Sequence, residues 1–191
     1  FKRVCEGAGI KNVDVQVNSF TEMGLTHELK YSKKQVPNKN YRLCHIGGMS
    51  IHKGYQLLRQ AVYHLPKALP IQFTVIDHRL ASSINNYHSN WNGYHVDFIA
   101  PIPMNEMPKF YSEQDVLIAP SIWPESFGLV TREALSAGLW VIASDTGALA
   151  EPILNAKDHN GFVIQPNNLD DLITALRDLP IVLKTKADEG N

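Results

Sequence analysis

The sequence predicts an α/β fold: a Rossmann-like, doubly wound parallel sheet of about six strands flanked by helices. Short apolar runs typical of buried strands alternate along the chain with segments of helical period, which favours parallel strands joined by right-handed crossovers. The 191 residues show no internal repeat and no linker long enough to divide them. We therefore expect one domain covering residues 1–191.

Apolar runs and strict alternation mark the expected strands. They occur at residues 13–17, 42–46, 71–76, 96–99, 115–119, 140–143 and 161–164. Between them, apolar residues with a helical period or short segments bounded by turn residues predict helices at residues 54–65, 104–111, 127–137, 147–154 and 169–179. We expect Pro66 to end the first helix and Pro180 to break the last. The polar segments 26–40 and 82–93 are predicted to be loops, the second with a short helix as the alternative.

Composition limits the classes of function. A hydrophobic content of 44% suffices for a substantial core, and a net charge of −1 gives no basic footprint for nucleic acid. Two cysteines argue against a disulfide framework and for a reducing compartment, with Cys5 and Cys44 as structural thiols. No apolar run approaches the roughly 18 residues of a membrane span. An anionic ligand would therefore be held by a few placed groups.

The tract from Pro124 to Ala134 is the most informative part of the chain. It follows an apolar run and places Glu125 before a Phe-Gly turn and Glu133 on the helix after it. In open α/β sheets, ligands bind at the carboxyl ends of the strands, and a helix start offers N–H groups suited to a diphosphate. Both carboxylates can then face one pocket and accept hydrogen bonds from sugar hydroxyls. Simple capping of the helix dipole is the alternative explanation.

Two further turns follow strands. Gly47 to Gly54 would let the backbone approach a ligand while Lys53 places its ammonium on a phosphate, unless the segment is an ordinary surface turn. Small residues at 144–151 would frame one wall of the pocket or form a tight turn capped by Asp145. The eight histidines lack metal-ligand spacing and no Asp-x-Asp pair occurs. His52 remains of interest because it adjoins Lys53.

Together these motifs resemble the C-terminal, donor-binding domain of the retaining group 1 glycosyltransferases, one half of the GT-B fold. That domain has in order a Gly-Arg-Leu and Lys-Gly segment, a Gly-x-Gly strand end, a strand ending near Gly-x-Val, Asp-Val-Leu-x-x-Pro-Ser, a Glu-x-Phe-Gly tract with a second Glu eight residues on, a Gly-Gly-x-x-Glu turn and Asn-Gly-x-Leu-Val-x-Pro. The resemblance covers roughly residues 13–179. The counterparts here are residues 47–54, 71–77, 96–102, 115–121, 125–133, 147–151 and 160–166.

The resemblance implies a role for each matching residue. Glu125 would contact the donor sugar and Glu133 the ribose, while Lys53 would neutralise the leaving diphosphate. Glu125 and Lys53 are the implied catalytic residues. The remaining implied donor contacts are Gly47, Gly48, Ile102 against the base, and the segment Phe127, Gly128, Leu129 and Val130. No metal or other cofactor is implied, and the donor would be a nucleotide-diphosphate sugar.

Three positions depart from the family pattern. Gly48 stands where the family has a phosphate-binding Arg, so His52 or Arg79 would have to compensate. Asp77-His78-Arg79 replaces the Gly-x-Gly, and Ala148 replaces the second glycine of the Gly-Gly turn. Loss of a charged phosphate contact could cost about 1.5–3 kcal/mol.

The same resemblance implies that an N-terminal acceptor domain, absent from this chain, completes the enzyme. The acceptor would be a saccharide or lipid-linked saccharide, and the enzyme would be cytoplasmic and could rest on the inner membrane face. The isolated domain would bind donor weakly and transfer no sugar. Two alternatives remain open: a non-catalytic nucleotide-sugar-binding or assembly module, and a nucleotide-sugar epimerase. An NAD-dependent oxidoreductase is disfavoured because no G-x-G-x-x-G follows a predicted strand.

Overall fold

The computed structural model of the chain describes residues 40–80, 85–155 and 160–189. The expected strand at residues 13–17 and loop at 26–39 lie outside this range. A seven-stranded sheet forms the centre of the domain. Its strands are β1 (Tyr41–Ile46), β2 (Ile71–Ile76), β3 (Tyr87–Trp91), β4 (Tyr94–Ile99), β5 (Val116–Ala119), β6 (Trp140–Ser144) and β7 (Gly161–Ile164).

The strand order is β3-β4-β2-β1-β5-β6-β7. Every neighbouring pair is parallel except β3 and β4, which pair antiparallel. The order reverses direction at β1, which lies between β2 and β5. In open α/β sheets, ligands bind at such a switch point, outside the carboxyl ends of the strands.

Helices cover both faces of the sheet. They are α1 (Tyr55–His64), α2 (Met107–Ser112), α3 (Leu129–Ser136), α4 (Glu151–Leu154) and α5 (Leu169–Glu189), with a 3₁₀ turn at Met104–Glu106. One core contains buried residues of α1 and α5, and the other contains buried residues of α2, α3 and α4. The doubly wound α/β expectation is confirmed.

Strand side chains alternate between these two cores, as the pleat requires. On β5, Val116 and Ile118 enter the first core while Leu117 enters the second. Because both faces are buried, the central strands are nearly continuous apolar runs. Cys44 is buried in the second core, and burial raises the pKa of its thiol.

Two sequence expectations were wrong. Within the segment predicted to be a loop or short helix, residues 87–91 form strand β3, which an Asn92-Gly93 turn joins to β4. The turn explains the pairing, because both residues adopt positive φ, as a tight hairpin requires. With β3, the described sheet has seven strands instead of about six.

Pro180 does not end the last helix, which continues to Glu189. The helix tolerates the lost N–H because Val182 and Leu183 beyond the proline still pack against the first core. Within the part of the chain that the structure describes, no helix combines the length and apolar character needed to span a membrane.

Candidate functional site

The loops after β1, β2 and β5 meet at the carboxyl edge of the sheet. The β1 loop touches the β5 loop, since the N–H of Ile122 donates to the carbonyl of His52 at 3.0 Å. Gly54 lies in the left-handed region at φ 77°, and a Cβ there would come within 1.9 Å of the Pro120 carbonyl oxygen. Only glycine allows this close approach. It brings residues 47–54 and 120–125 side by side.

Lys53 and Glu125 form an ion pair across this junction. The Nζ of Lys53 lies 2.9 Å from Oε1 of Glu125, and both side chains are partly buried. The hydroxyl of Ser121 donates to the same carboxylate oxygen at 2.7 Å. The structure therefore brings together the two residues expected to be catalytic, with a third group that orients the carboxylate.

Helix α3 begins immediately beyond this pair. Its N-cap is Gly128, at φ 67°, and the first backbone hydrogen bond runs from the N–H of Arg132 to the Gly128 carbonyl at 3.3 Å. The amides of Leu129, Val130 and Thr131 precede that bond, so helix geometry gives them no acceptor within the helix. The helix start thus presents N–H groups and a partial positive charge next to Glu125.

The turn after β6 forms the support beneath the Glu125 loop. Gly147 pairs with Glu125 in a parallel bridge, and the N–H of Ala148 donates to the Glu125 carbonyl at 2.8 Å. A Cβ at Gly147 would lie 2.2 Å from that carbonyl oxygen, so this position requires glycine. At the next position, where the family has its second glycine, the side chain of Ala148 is accommodated and buried. Gly128 is packed against the same turn, near Leu149.

Glu133, on α3, is buried rather than open to solvent. It is 8% exposed, and its Oε2 accepts a 2.9 Å hydrogen bond from the Tyr111 hydroxyl on α2. Burial raises the pKa of Glu133, and the hydrogen bond from Tyr111 opposes that rise. The pKa of Tyr111 is also raised, by burial first and then by the neighbouring carboxylate. The contact of Glu133 with a ribose stays a prediction.

A second cation–carboxylate pair lies at the end of β2. The Asp77 side chain is 1% exposed, and its oxygens accept hydrogen bonds from Nε and Nη2 of Arg79 at 3.0–3.3 Å. A cleft of about 350 Å³ lies beside this pair, and the residues that line it include Gly47, Gly48, His52, Lys53, Asp77 and Arg79. This cleft lies between the β1 and β2 loops.

Two histidines border this region. His52 is exposed, and its ring bonds to the Ser50 hydroxyl at 2.9 Å. His45, on β1, is buried with its Nδ1 3.0 Å from the Ile118 carbonyl oxygen. Burial lowers the pKa of His45, and the charge of Lys53 lowers it further, so the ring is neutral near pH 7.

The remaining expected contacts lie elsewhere on the same edge. Ile102 follows β4 and packs against the second core, and it is not among the cleft-lining residues. Phe127 is partly buried, with the Arg132 guanidinium 4.5 Å above its ring. Among the residues in the described ranges, no group of three or more His, Cys, Asp or Glu side chains could hold a metal ion.

Sequence reasoning missed the partners of the expected residues. Tyr111 belongs to a short amphipathic helix with no motif, and nothing in the sequence signals that it meets Glu133. Asp77 was noted only as a departure, although an acid two residues before an arginine at a strand end is a simple signal for a local ion pair. His45 is one of the eight histidines whose spacing gives no metal site, and the sequence does not signal that it is buried beside Ile118.

Comparison with known proteins places these motifs in a family. Residues 27–180 match the family model described as glycosyl transferases group 1. The sulfoquinovosyl transferase SQD2 of Arabidopsis thaliana is 27% identical over 169 residues, which cover 88% of this chain and 32% of that protein. The chain thus spans about a third of the length of this curated relative.

Solved structures share the fold. A glycosyltransferase from Rickettsia africae superposes with a TM-score of 0.63 at 18% identity, covering 97% of this chain and 42% of that one. Anabaena HepE, in complex with UDP and glucose, gives a TM-score of 0.59 at 20% identity, covering 87% and 42%. Together with the match over residues 27–180, the motif order and the half GT-B architecture show that this chain belongs to the group 1 glycosyltransferases.

Proposed function

We propose that this chain is the donor-binding half of a retaining glycosyltransferase that moves a sugar from a nucleotide-diphosphate sugar to an acceptor. The Lys53–Glu125 ion pair beside the start of α3 carries the proposal. It joins an ammonium suited to a phosphate, a carboxylate suited to sugar hydroxyls, and a helix start suited to a diphosphate. HepE, which shares the fold, has been crystallised in complex with UDP-glucose.

The ion pair also suggests how the site works. In the ion pair, Lys53 and Glu125 neutralise one another. A donor would draw the ammonium of Lys53 onto its diphosphate and release Glu125 to accept hydrogen bonds from the sugar, with Ser121 holding the carboxylate in place. Lys53 would then stabilise the negative charge that develops as the diphosphate leaves.

The acceptor is proposed to bind a second, N-terminal domain outside this chain, and a saccharide or lipid-linked saccharide fits that arrangement. Metal-independent chemistry, a cytoplasmic location and peripheral membrane contact remain predictions from the sequence. A non-catalytic module is the second candidate, because Lys53 and Arg79 are each paired with a carboxylate.

Titration calorimetry of the intact protein with UDP, GDP and ADP tests the site. Lys53→Ala is expected to weaken the preferred nucleotide about tenfold or more, since it removes a charged contact to phosphate. The matched control is Lys184→Ala, which removes an exposed lysine of α5 that does not line the cleft. Unchanged affinity in Lys53→Ala would remove Lys53 from the site.

A panel of labelled nucleotide sugars tests the reaction. Sugar transfer with retained anomeric configuration supports the proposal, an epimerised nucleotide sugar indicates the epimerase, and binding without turnover indicates the non-catalytic module. Glu125→Gln should lower the transfer rate at least about tenfold. Glu113→Gln, an exposed glutamate at the end of α2, is the control and should leave the rate unchanged.

A further inference from the structure

The cleft between the β1 and β2 loops is rich in nitrogen-bearing side chains. Lys53, His52, His78 and Arg79 line it, and Asp77 is the one acid among its lining residues. Asp77 is buried beneath Arg79, so the surface that a ligand meets carries more positive than negative charge. Such a cleft suits an oxyanion.

Arg79 is held along one edge of its guanidinium group. Its Nε and Nη2 atoms donate to the Asp77 carboxylate, Nη2 also contacts the Met49 sulfur at 3.1 Å, and the backbone N–H of Arg79 donates to Asp77 Oδ1 at 3.0 Å. No hydrogen bond to a described residue uses Nη1. Since the side chain is 66% exposed, the Nη1 edge remains open to a ligand.

The burial of Asp77 decides what a ligand can do to this pair. A carboxylate that is 1% exposed cannot release its arginine without leaving a buried charge uncompensated. A ligand in the cleft therefore meets Arg79 with Asp77 still attached, as a donor fixed in orientation. The Lys53–Glu125 pair is less buried, so its lysine can change partners.

The backbone at Gly48 leaves room for such a ligand. Gly48 lies at φ 62°, and a Cβ there would sit 3.6 Å from Asp77 Oδ1 and 3.4 Å from the backbone nitrogen of His78. With no side chain at position 48, the cleft stays open between Lys53 on one side and Arg79 on the other.

We propose that Asp77 is a positioning residue, which fixes Arg79 so that its open edge binds a phosphoryl group together with Lys53. The inference rests on the proposed function and deepens it, because it assigns a cation of the β2 loop to the phosphoryl group of the bound ligand. That phosphoryl group belongs either to the nucleotide or to a phosphorylated acceptor.

Calorimetric titration with inorganic pyrophosphate tests the proposal in the intact protein. Asp77→Asn and Arg79→Lys should each weaken pyrophosphate roughly tenfold or more, because the fork geometry is lost in either case. The double variant Asp77→Asn/Arg79→Gln avoids a stranded buried charge and should bind little worse than either single variant, since the two residues act as one unit. Arg177→Ala is the matched control, because Arg177 forms a similar 3.0 Å ion pair on the exposed face of α5.

The opposite role for Asp77 gives the opposite result. If Asp77 merely neutralised Arg79, Asp77→Asn would leave a more positive cleft and bind pyrophosphate more tightly, which would overturn the proposal. Equal affinity of the wild type and the double variant would overturn it as well. Thermal unfolding of each variant confirms that the compared proteins are folded.

Two further arms identify the source of the phosphoryl group. If Asp77→Asn weakens the binding of UDP, GDP or ADP and leaves the binding of glycerol 3-phosphate unchanged, the phosphoryl group belongs to the nucleotide. The reverse result assigns it to the acceptor. Kinetics separate this inference from the proposed function. In an active enzyme, Asp77→Asn should raise the KM for the substrate that carries the phosphoryl group and leave kcat nearly unchanged. If Asp77→Asn transfers sugar with the kcat and KM of the wild type, the inference is wrong and the proposed function stands. If pyrophosphate binding depends on Arg79 but the protein transfers no sugar, only the proposed function is wrong.

Discussion

Two ion pairs at the carboxyl edge of the sheet, Lys53–Glu125 and Arg79–Asp77, each join a cation to a carboxylate and differ in how deeply the acid is buried. On the β5 side, Lys53 and Glu125 lie on two different loops, and their side chains are 33% and 19% exposed. On the β2 side, Asp77 is 1% exposed and Arg79 is 66% exposed. A partly open pair can exchange partners when a ligand enters, whereas a pair with a buried acid keeps its geometry.

The glycines beside the two pairs differ in the same sense. Gly54 is pressed against the β5 loop, with no space for a Cβ, whereas Gly48 meets the β2 loop at ordinary contact distances. The β5 side is therefore a rigid junction around an exchangeable pair. The β2 side is an open cleft around a fixed pair.

Replacement of these glycines should give the largest difference between the two sides. Gly54→Ala forces a Cβ against the Pro120 carbonyl at 1.9 Å and strains a φ of 77°, so it should lower the free energy of unfolding by about 3 kcal/mol. Gly48→Ala strains its φ alone and should cost about 1 kcal/mol. Denaturant unfolding of both variants measures this, and equal losses would show that the β1 loop is no tighter against β5 than against β2.

Removal of the cation from each pair should give a smaller difference. Arg79→Ala leaves the Asp77 carboxylate buried without its partner and should cost about 2 kcal/mol. Lys53→Ala leaves Glu125 partly solvated and still bonded to Ser121, so it should cost less than about 1 kcal/mol. Urea unfolding at neutral pH checks the order, and a larger loss in Lys53→Ala would contradict the contrast in burial.

The sequence predicted the fold well where hydrophobic pattern alone decides it. Strands Ile71–Ile76 and Gly161–Ile164 have the expected bounds, because their apolar runs are limited by turn residues on both sides. Strand β3 was missed because an edge strand carries polar side chains, although the Asn92-Gly93 turn was a usable signal. The end of α5 was missed because packing beyond Pro180 outweighs the local cost of proline.

The candidate site was predictable in its location and less so in its pairings. The approach of Lys53 and Glu125 follows from parallel strands that end at one edge, so residues distant in sequence meet there. The partner of Glu133 depends on how α2 packs beside α3, which no local pattern encodes. The buried state of Asp77 likewise depends on neighbouring loops and not on its own sequence context.

Glu133 extends the comparison to a third acid, buried like Asp77 but bonded to a neutral hydroxyl instead of an arginine. Its pKa in the folded protein is raised by burial, so the folded state holds its proton more tightly than the unfolded state. Its contribution to stability is therefore most favourable below the unfolded-state pKa of about 4.3 and is lost as pH rises through the folded-state pKa.

Glu133→Gln keeps the acceptor for Tyr111 and removes the buried charge, and should raise the free energy of unfolding at pH 7 by roughly 1 kcal/mol. Urea unfolding at pH 7 and pH 4 measures the effect. The gain should shrink at pH 4, where the carboxyl is protonated. A stability loss at pH 7 would show that the carboxylate is better solvated than its 8% exposure indicates.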